Sequence, residues 1–144
     1  MITIPKNVYE EMIAHAEKGY PNEACGLLSG PPSELQRTFG PEKGTGITQF
    51  FPMRNMDEAS ISYFMDPKEQ LQVFKKMREL GLEMKGIFHS HVASEAFPSQ
   101  KDIRLAFYPE ASYLIVSLSD KTRPVLKSFR IRDEKVSEEE IKLV

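Results

Sequence analysis

The chain has 144 residues, 40% of them hydrophobic and 28% charged, which is the composition of an ordinary globular protein with room for one packed core. Its net charge of −2 and pI near 6.0 offer no general attraction to phosphate, so we do not expect nucleic acid as a partner. The single cysteine excludes an internal disulfide, and neither a signal peptide nor a membrane-spanning apolar run is visible, so we expect a cytoplasmic protein.

The first elements are a predicted helix and a buried strand. Residues 5–18 predict a helix, with Pro5 at its first position and Gly19 at its end. One face of this helix is apolar, formed by Val8, Met12, Ile13 and Ala16. Residues 24–30 follow as a short apolar run bounded by Gly-Pro-Pro, which predicts a buried strand and a turn.

The next stretch predicts a loop and two strands. Residues 31–46 are rich in proline, glycine and charge, which indicates a loop, with a weak strand near residues 35–39. Residues 47–53 and 60–65 carry β-branched and aromatic side chains, and we expect both to be strands.

A second helix has clear boundaries in the sequence. Asp66 is a good N-cap, Pro67 suits the next position, Glu69 would complete a capping box, and Gly81 would end the helix. The apolar stripe that we expect this helix to bury consists of Leu71, Phe74, Met77 and Leu80.

The last third predicts further strands and one short helix. We expect a strand over residues 84–90, a helix opening near Ser99, an apolar strand over 112–118 and an edge or half-exposed strand over 124–131. The tail, residues 133–144, predicts a charged short helix or a frayed end. Helices interspersed among mostly adjacent strands indicate an α/β or α+β fold, with one curved sheet between helices.

Two histidines, His89 and His91, stand one residue apart at the end of an apolar run. On a strand, residues two apart point to the same face, so both imidazoles can approach one ion. Asp102 offers a carboxylate oxygen as a third ligand. Two neutral nitrogens, one carboxylate and an open fourth position are the usual ligand set of a catalytic zinc site.

Simpler interpretations of these residues stay open at this point. A pair of histidines two apart is a weak signal by itself, and Ser99 with Asp102 matches a helix capping box. His15 is expected to be a solvated side chain, and Glu138-Glu139-Glu140 a solvated face. Cys25 is either a nucleophile or, as small buried residues of an apolar strand commonly are, part of the core.

The stretch HSHVASEAFPSQKD, residues 89–102, resembles the signature of the JAMM (MPN+) metalloprotease family: H-[ST]-H, seven residues, then S-x-x-D. The family also has an upstream glutamate in an E-x-C-G-L-L-x-G context, which PNEACGLLSG at residues 21–30 matches with Glu23. The family usually has proline after the second histidine, where this chain has Val92. The resemblance covers nearly the whole chain and implies a single MPN-type domain over residues 1–144, with a curved mixed β-sheet flanked by helices in a cytidine-deaminase-like three-layer arrangement.

The resemblance also implies a mechanism. His89, His91 and Asp102 would hold one Zn²⁺. Glu23 would act as general base toward a metal-activated water and then as general acid to the departing amine. Ser99 would donate a hydrogen bond to the oxyanion.

By the same resemblance, the chain would be a zinc metallopeptidase or isopeptidase. Its substrate would be a ubiquitin-like or sulfur-carrier protein with a C-terminal Gly-Gly, cleaved after that Gly-Gly. The alternative is a non-catalytic MPN scaffold, although such relatives lack part of the ligand set. A small-molecule zinc hydrolase or deaminase is disfavoured, because deaminases use thiol ligands and the chain has no C-x-x-C.

Overall fold

The computed structural model describes residues 1–33 and 45–144. The elements, in chain order, are β1 (Ile2–Ile4), α1 (Lys6–Gly19), β2 (Cys25–Gly30), β3 (Thr45–Gly46), β4 (Gln49–Met53), α2 (Pro67–Glu79), β5 (Glu83–His91), α3 (Gln100–Arg104), β6 (Ser112–Ser117), β7 (Val125–Arg132), β8 (Lys135–Glu139) and β9 (Ile141–Leu143). The weak strand predicted near residues 35–39 lies outside the described residues. None of the helices in the described ranges has the length and apolar character needed to cross a membrane.

A six-stranded mixed sheet, in the order β4-β2-β5-β6-β7-β8, forms the centre of the molecule. The strand β2 pairs antiparallel with β5, and Cys25 lies opposite His89. The strand β6 pairs parallel with β5 on the other side, so the chain must cross over between them, and α3 lies in this crossover. The sheet therefore brings the start of β2 beside the end of β5.

The central sheet has a packed core on each face. On one face, Met12 of α1 packs in a buried cluster with Phe88 and Leu114. On the other face, Met77 of α2 packs in a second cluster that includes Ile87 and Ile115. Adjacent residues of β5 and β6 enter opposite cores because successive side chains of a strand alternate in direction. The predicted mixed α/β fold, with a sheet between helices, is confirmed.

A second sheet of three strands, β3-β1-β9, joins the two ends of the described chain. The strand β1 is parallel to β9, and Val144 N–H donates to the Ile4 carbonyl at 3.0 Å. The prediction of a short helix or frayed end over residues 133–144 is therefore wrong: this segment forms β8 and β9. Of the two alternatives for residues 124–131, the edge strand is wrong, since β8 pairs along the outer side of β7, whereas the half-exposed strand is confirmed by the mixed burial of its residues.

Two further predictions differ from the structure. Residues 60–65 do not form a strand; their ladder pairing is one isolated bridge between Met65 and Asn55. The helix α2 has the predicted N-cap, Asp66, and Gly81 follows it with a φ of +69°. Of its predicted apolar stripe, however, Met77 is buried, whereas Leu71 is 71% exposed.

The remaining stripe residues and the predicted capping box also need correction. Leu80 is exposed, and Phe74 is partly buried against the second core cluster. Glu69 does not complete a capping box, because its Oε1 accepts the backbone N–H of Arg54 at 2.9 Å.

Candidate metal centre

Three side-chain atoms meet at the carboxyl end of β5. His89 Nε2 lies 3.1 Å from His91 Nε2, and each of these nitrogens lies 3.1 Å from Asp102 Oδ2. Both histidines are almost fully buried, and they share a face because they are two residues apart on one strand. The sequence prediction that these three residues converge is confirmed by the geometry of the described residues.

Asp102 belongs to the helix cap and to this cluster at once. Ser99 is the N-cap of α3: its Oγ accepts the Asp102 N–H at 3.1 Å, and its own N–H donates to Asp102 Oδ2 at 2.9 Å. The two interpretations of S-x-x-D therefore coexist. Burial alone would raise the pKa of Asp102, but its contacts with His89 and His91 and the hydrogen bond from the Ser99 N–H hold that pKa well below its usual range.

The two histidine rings differ in their contacts and in the direction in which their pKa values are shifted. His91 Nδ1 lies 2.8 Å from the Glu95 carbonyl, which can only accept, so Nδ1 carries the hydrogen and Nε2 of the neutral ring presents a lone pair. Burial lowers the pKa of His91, but its bonds to Asp102 and Glu95 outweigh burial and raise it overall. For His89, burial dominates and lowers the pKa. The ring of Tyr63 stacks on His89 at a centroid distance of 4.7 Å.

Glu23 lies two residues before β2 and faces the same site. Its side chain is 6% exposed, and burial raises its pKa from 4.5 to about 7. Among the described residues, its Oε1 has no hydrogen-bond partner. Glu23 lines a cavity of about 270 Å³ together with His91, Ser99 and the small side chains of Ser60 and Ala93. The predicted acidic residue therefore opens on the space beside the histidines.

The cluster fits a zinc ion by its donor set and spacing. Zinc binds imidazole nitrogen and carboxylate oxygen at about 2.0–2.2 Å, so three donor atoms that lie 3.1 Å apart can all reach one ion. The buried, unpartnered oxygen of Glu23 is a second indication, since such atoms are rare unless they serve a ligand or a reaction. His89, His91 and Asp102 are thus the residues able to hold a metal.

Three further residues support the site: Tyr63 and Asn55 carried no recognisable signal in the sequence, and Ser90 falls within the H-[ST]-H motif but had no role assigned from it. Tyr63 supports His89 by stacking, and Asn55 Nδ2 donates to the Glu23 carbonyl at 3.0 Å. Ser90 Oγ accepts the Ala24 N–H at 2.8 Å. Each contact joins residues distant in sequence, and no local pattern encodes it.

Two other sequence interpretations are decided by burial. Cys25 is fully buried, and burial raises the pKa of its thiol to about 12, so it belongs to the core and is not a nucleophile. His15 is not the solvated side chain expected from the sequence, because its Nε2 lies 2.9 Å from the Cys25 carbonyl and its ring packs edge-on against Phe50.

The fold and site together define a JAB/MPN-type domain. A JAB1/MPN domain protein from Archaeoglobus fulgidus has the same fold, with a TM-score of 0.58 at 19% identity over 99% of this chain and 97% of that one. The chain belongs to the family described as prokaryotic homologs of the JAB domain, whose model matches residues 5–132.

Three similar proteins match most or all of the chain. The solution structure of a protein from Desulfitobacterium hafniense has a TM-score of 0.85 at 46% identity, over 100% of this chain and 93% of that one. The CysO-cysteine peptidase of Mycobacterium tuberculosis is 37% identical over 144 residues, 100% of this chain and 92% of that protein. The desampylase of Haloferax volcanii is 28% identical over 121 residues, 81% of this chain and 80% of that protein. The names of these relatives support a hydrolase.

Proposed function

We propose that this protein is a zinc-dependent peptidase or isopeptidase that cleaves after the C-terminal Gly-Gly of a ubiquitin-like or sulfur-carrier protein. The observation that carries the proposal is the meeting of His89, His91 and Asp102 at mutual distances of 3.1 Å, with the buried carboxyl of Glu23 beside them. The names of the relatives, a CysO-cysteine peptidase and a desampylase, support the substrate class.

The roles of the residues follow from their chemistry. When bound, zinc supplies Lewis acidity and lowers the pKa of a coordinated water from 15.7 to about 7. Glu23 accepts a proton from the attacking water and delivers it to the departing amine, a task suited to a pKa of about 7. Ser99 lines the same cavity, and its hydroxyl donates to the substrate carbonyl oxygen as negative charge develops there.

The surroundings of the site suit a protein tail and a protein body. The small side chains that wall the cavity of about 270 Å³ leave room for an extended glycine pair. A separate apolar cavity of about 320 Å³ includes Tyr63, which stacks on His89, together with the exposed rings of Phe64 and Phe107. Exposed apolar surface next to a catalytic site is the kind of surface on which a folded substrate docks.

The test measures bound zinc and the cleavage of a ubiquitin-like protein extended beyond Gly-Gly. We expect Glu23→Ala to keep zinc but lose turnover, because Glu23 moves protons and is not a ligand. We expect His89→Ala to lose both zinc and turnover. Glu10→Ala, which changes an exposed glutamate of α1, is the matched control and should keep both.

Two outcomes would contradict the proposal. Full turnover in Glu23→Ala would remove the role given to that carboxyl. A wild-type protein that binds zinc but cleaves no such fusion would favour the alternative of a non-catalytic scaffold.

A further inference from the structure

The backbone of Glu23 is hydrogen-bonded to residues 55 and 59, whereas its side-chain Oε1 is not hydrogen-bonded in the part of the chain that the structure describes. Within residues 1–33 and 45–144, no hydrogen bond to its Oε1 is present, so no neighbouring group orients the carboxyl at that oxygen. Its main chain is held at both polar atoms. The Glu23 N–H donates to the Ala59 carbonyl at 2.8 Å, and the Glu23 carbonyl accepts from Asn55 Nδ2 at 3.0 Å.

The side-chain amide of Asn55 makes four hydrogen bonds. Its Nδ2 donates to the carbonyls of Glu23 and Ser62, at 3.0 and 2.9 Å. Its Oδ1 accepts the N–H groups of Asp57 and Phe64, each at 3.0 Å. A primary amide has two donor hydrogens and two acceptor lone pairs, so the hydrogen-bonding capacity of Asn55 is fully used. Its amide thus satisfies the Ser62 carbonyl and the Phe64 N–H, backbone groups that a neighbouring strand would bond in a sheet.

The segment that Asn55 organises, residues 55–65, borders the metal centre. Tyr63 from this segment stacks on the ligand His89. Ser60 and Ile61 from the same segment line the cavity that Glu23 lines. Asn55 is therefore bonded on one side to the residue that carries the proposed general base, and on the other to residues 57, 62 and 64, which flank Ser60 and Ile61 in the cavity wall.

We propose that Asn55 is a positioning residue that locks the Glu23 backbone to the segment 55–65, so that the general base and the wall of the substrate cavity are placed together. The proposal rests on the function proposed for Glu23. Asn55 acts through Glu23 and Tyr63 and contacts none of the three metal ligands in the described hydrogen-bond network.

Two substitutions of Asn55 separate the hydrogen bonds that its amide donates from those that it accepts. Asn55→Asp keeps an oxygen that can accept from Asp57 and Phe64 but loses both donor hydrogens, so it breaks the bonds to the carbonyls of Glu23 and Ser62 and leaves the bond from the Glu23 N–H to Ala59. Asn55→Ala loses all four bonds. Asn7→Ala, which changes an exposed asparagine of α1, is the matched control.

The first measurements do not depend on turnover. By NMR, we expect the amides of Asp57 and Phe64 to exchange about tenfold faster in Asn55→Ala than in wild type, and to keep their protection in Asn55→Asp. The side-chain carboxyl ¹³C resonance of Glu23 should shift in both variants and stay in place in Asn7→Ala. Bound zinc per chain should be unchanged in all three.

The kinetic measurement uses the zinc-loaded protein and a fusion extended beyond Gly-Gly. Because a misplaced general base weakens the chemical step, we expect kcat of Asn55→Asp to fall about 10- to 100-fold with little change in KM. Asn55→Ala should lose as much in kcat and also raise KM, because its cavity wall is released.

Several results would overturn the proposal. An unshifted Glu23 resonance in both Asn55 variants would show that Asn55 does not position it. Loss of zinc in a folded Asn55→Asp would show that Asn55 acts on the ligands instead. If Asn55→Ala does not fold, Asn55→Asp decides alone. If wild type cleaves no Gly-Gly fusion, the proposed function fails, and the exchange rates and the Glu23 resonance still decide whether Asn55 positions this residue.

Discussion

Glu23 shows how burial changes the behaviour of a single side chain. Near pH 7, a carboxyl with its ordinary pKa is almost fully ionised and has no proton to donate. Burial raises the pKa of Glu23 to about 7, so near that pH its carboxyl can both accept and donate a proton. The same burial disfavours the ionised form in the folded state. The property that suits this residue to proton transfer therefore reduces the stability of the metal-free fold at higher pH.

The loss of folding stability caused by the buried Glu23 carboxyl has a definite sign and pH range. The pKa of Glu23 rises from 4.5 to about 7 on folding, so the metal-free protein loses stability as pH increases through that window. At pH 8, Glu23→Gln should unfold at a higher urea concentration than wild type. Its free energy of unfolding should be greater by up to about 3 kcal/mol, at roughly 1.4 kcal/mol per pKa unit. At pH 4.5 the two should be nearly equal. Glu10→Gln, an exposed control, should show no such trend, and a gain for Glu23→Gln that is equal at both pH values would refute the explanation.

Ser90 is a second residue whose role depends on one hydrogen bond. It stands between the two histidines in the sequence. Its side chain is fully buried, and its Oγ accepts the Ala24 N–H. Ser90→Ala should destabilise the protein by about 1–3 kcal/mol, because a buried N–H loses its partner. Zinc should remain bound, and kcat should fall since Ala24 adjoins Glu23.

The control for Ser90→Ala is another buried serine. Ser29 in β2 is fully buried, and its Oγ has no partner within the described residues, so Ser29→Ala should change stability little. Urea unfolding of both variants gives the comparison. Equal losses would mean that the Ser90 bond contributes nothing specific.

At the scale of elements, the sequence pattern correctly predicts those helices, caps and strands that depend on interactions between nearby residues. The first helix, the N-cap Asp66 and the apolar strands β5 and β6 depend on nearby residues, and the structure has them where expected. Residues 60–65 were predicted as a strand from β-branched and aromatic content. The Ser62 carbonyl and the Phe64 N–H bond to the Asn55 side chain instead, and sequence composition does not indicate such a partner.

The candidate site divides in the same way. The convergence of His89, His91 and Asp102 beside Glu23 was predictable because these residues fall in two motifs of fixed spacing, HSHVASEAFPSQKD and PNEACGLLSG. Tyr63 and Asn55 were not, because neither residue type nor spacing marks a stacking partner or a bridging amide. The candidate site residues were thus readable from the sequence, whereas the contacts that hold them in place required the fold.

The C-terminal strand β9 offers a test at this scale. Deleting residues 141–144 removes the partner of β1, including the bond from Val144 N–H to the Ile4 carbonyl. Ile2 and Ile4 are fully buried, and their strand would lose one neighbour, so we expect a loss of about 2–4 kcal/mol in the free energy of unfolding. Zinc per chain should not change, because the ligands lie outside this sheet.

The matched control for this deletion is Lys142→Ala, which removes an exposed side chain but keeps the backbone pairing. It should unfold at nearly the wild-type urea concentration. A deletion variant as stable as wild type would show that β9 does not contribute to holding β1.

At the scale of the whole molecule, strand order creates the site. The antiparallel pairing of β2 with β5 sets Cys25 opposite His89, which brings Glu23 to the histidines. The parallel step from β5 to β6 requires a crossover at the carboxyl end of β5, and α3 in that crossover returns Asp102 to the same place. Carboxyl ends of strands are common binding sites in α/β proteins for this reason.

The central sheet between helices was predictable from the succession of elements, but the second sheet was not. Its strands β1 and β9 are three residues each and pair across almost the full length of the chain. Short strands carry little pattern, and a parallel partner so remote leaves no local trace.

The single oxygen Asp102 Oδ2 serves two structures, the first turn of α3 and the cluster with the histidines. That helix has five residues and none of them is buried, so its cap contributes much of what keeps it folded. In the proposed zinc-bound protein, occupancy by the ion and the order of the crossover would consequently be linked equilibria: a chelator that removes the ion would also loosen the connection between two central strands.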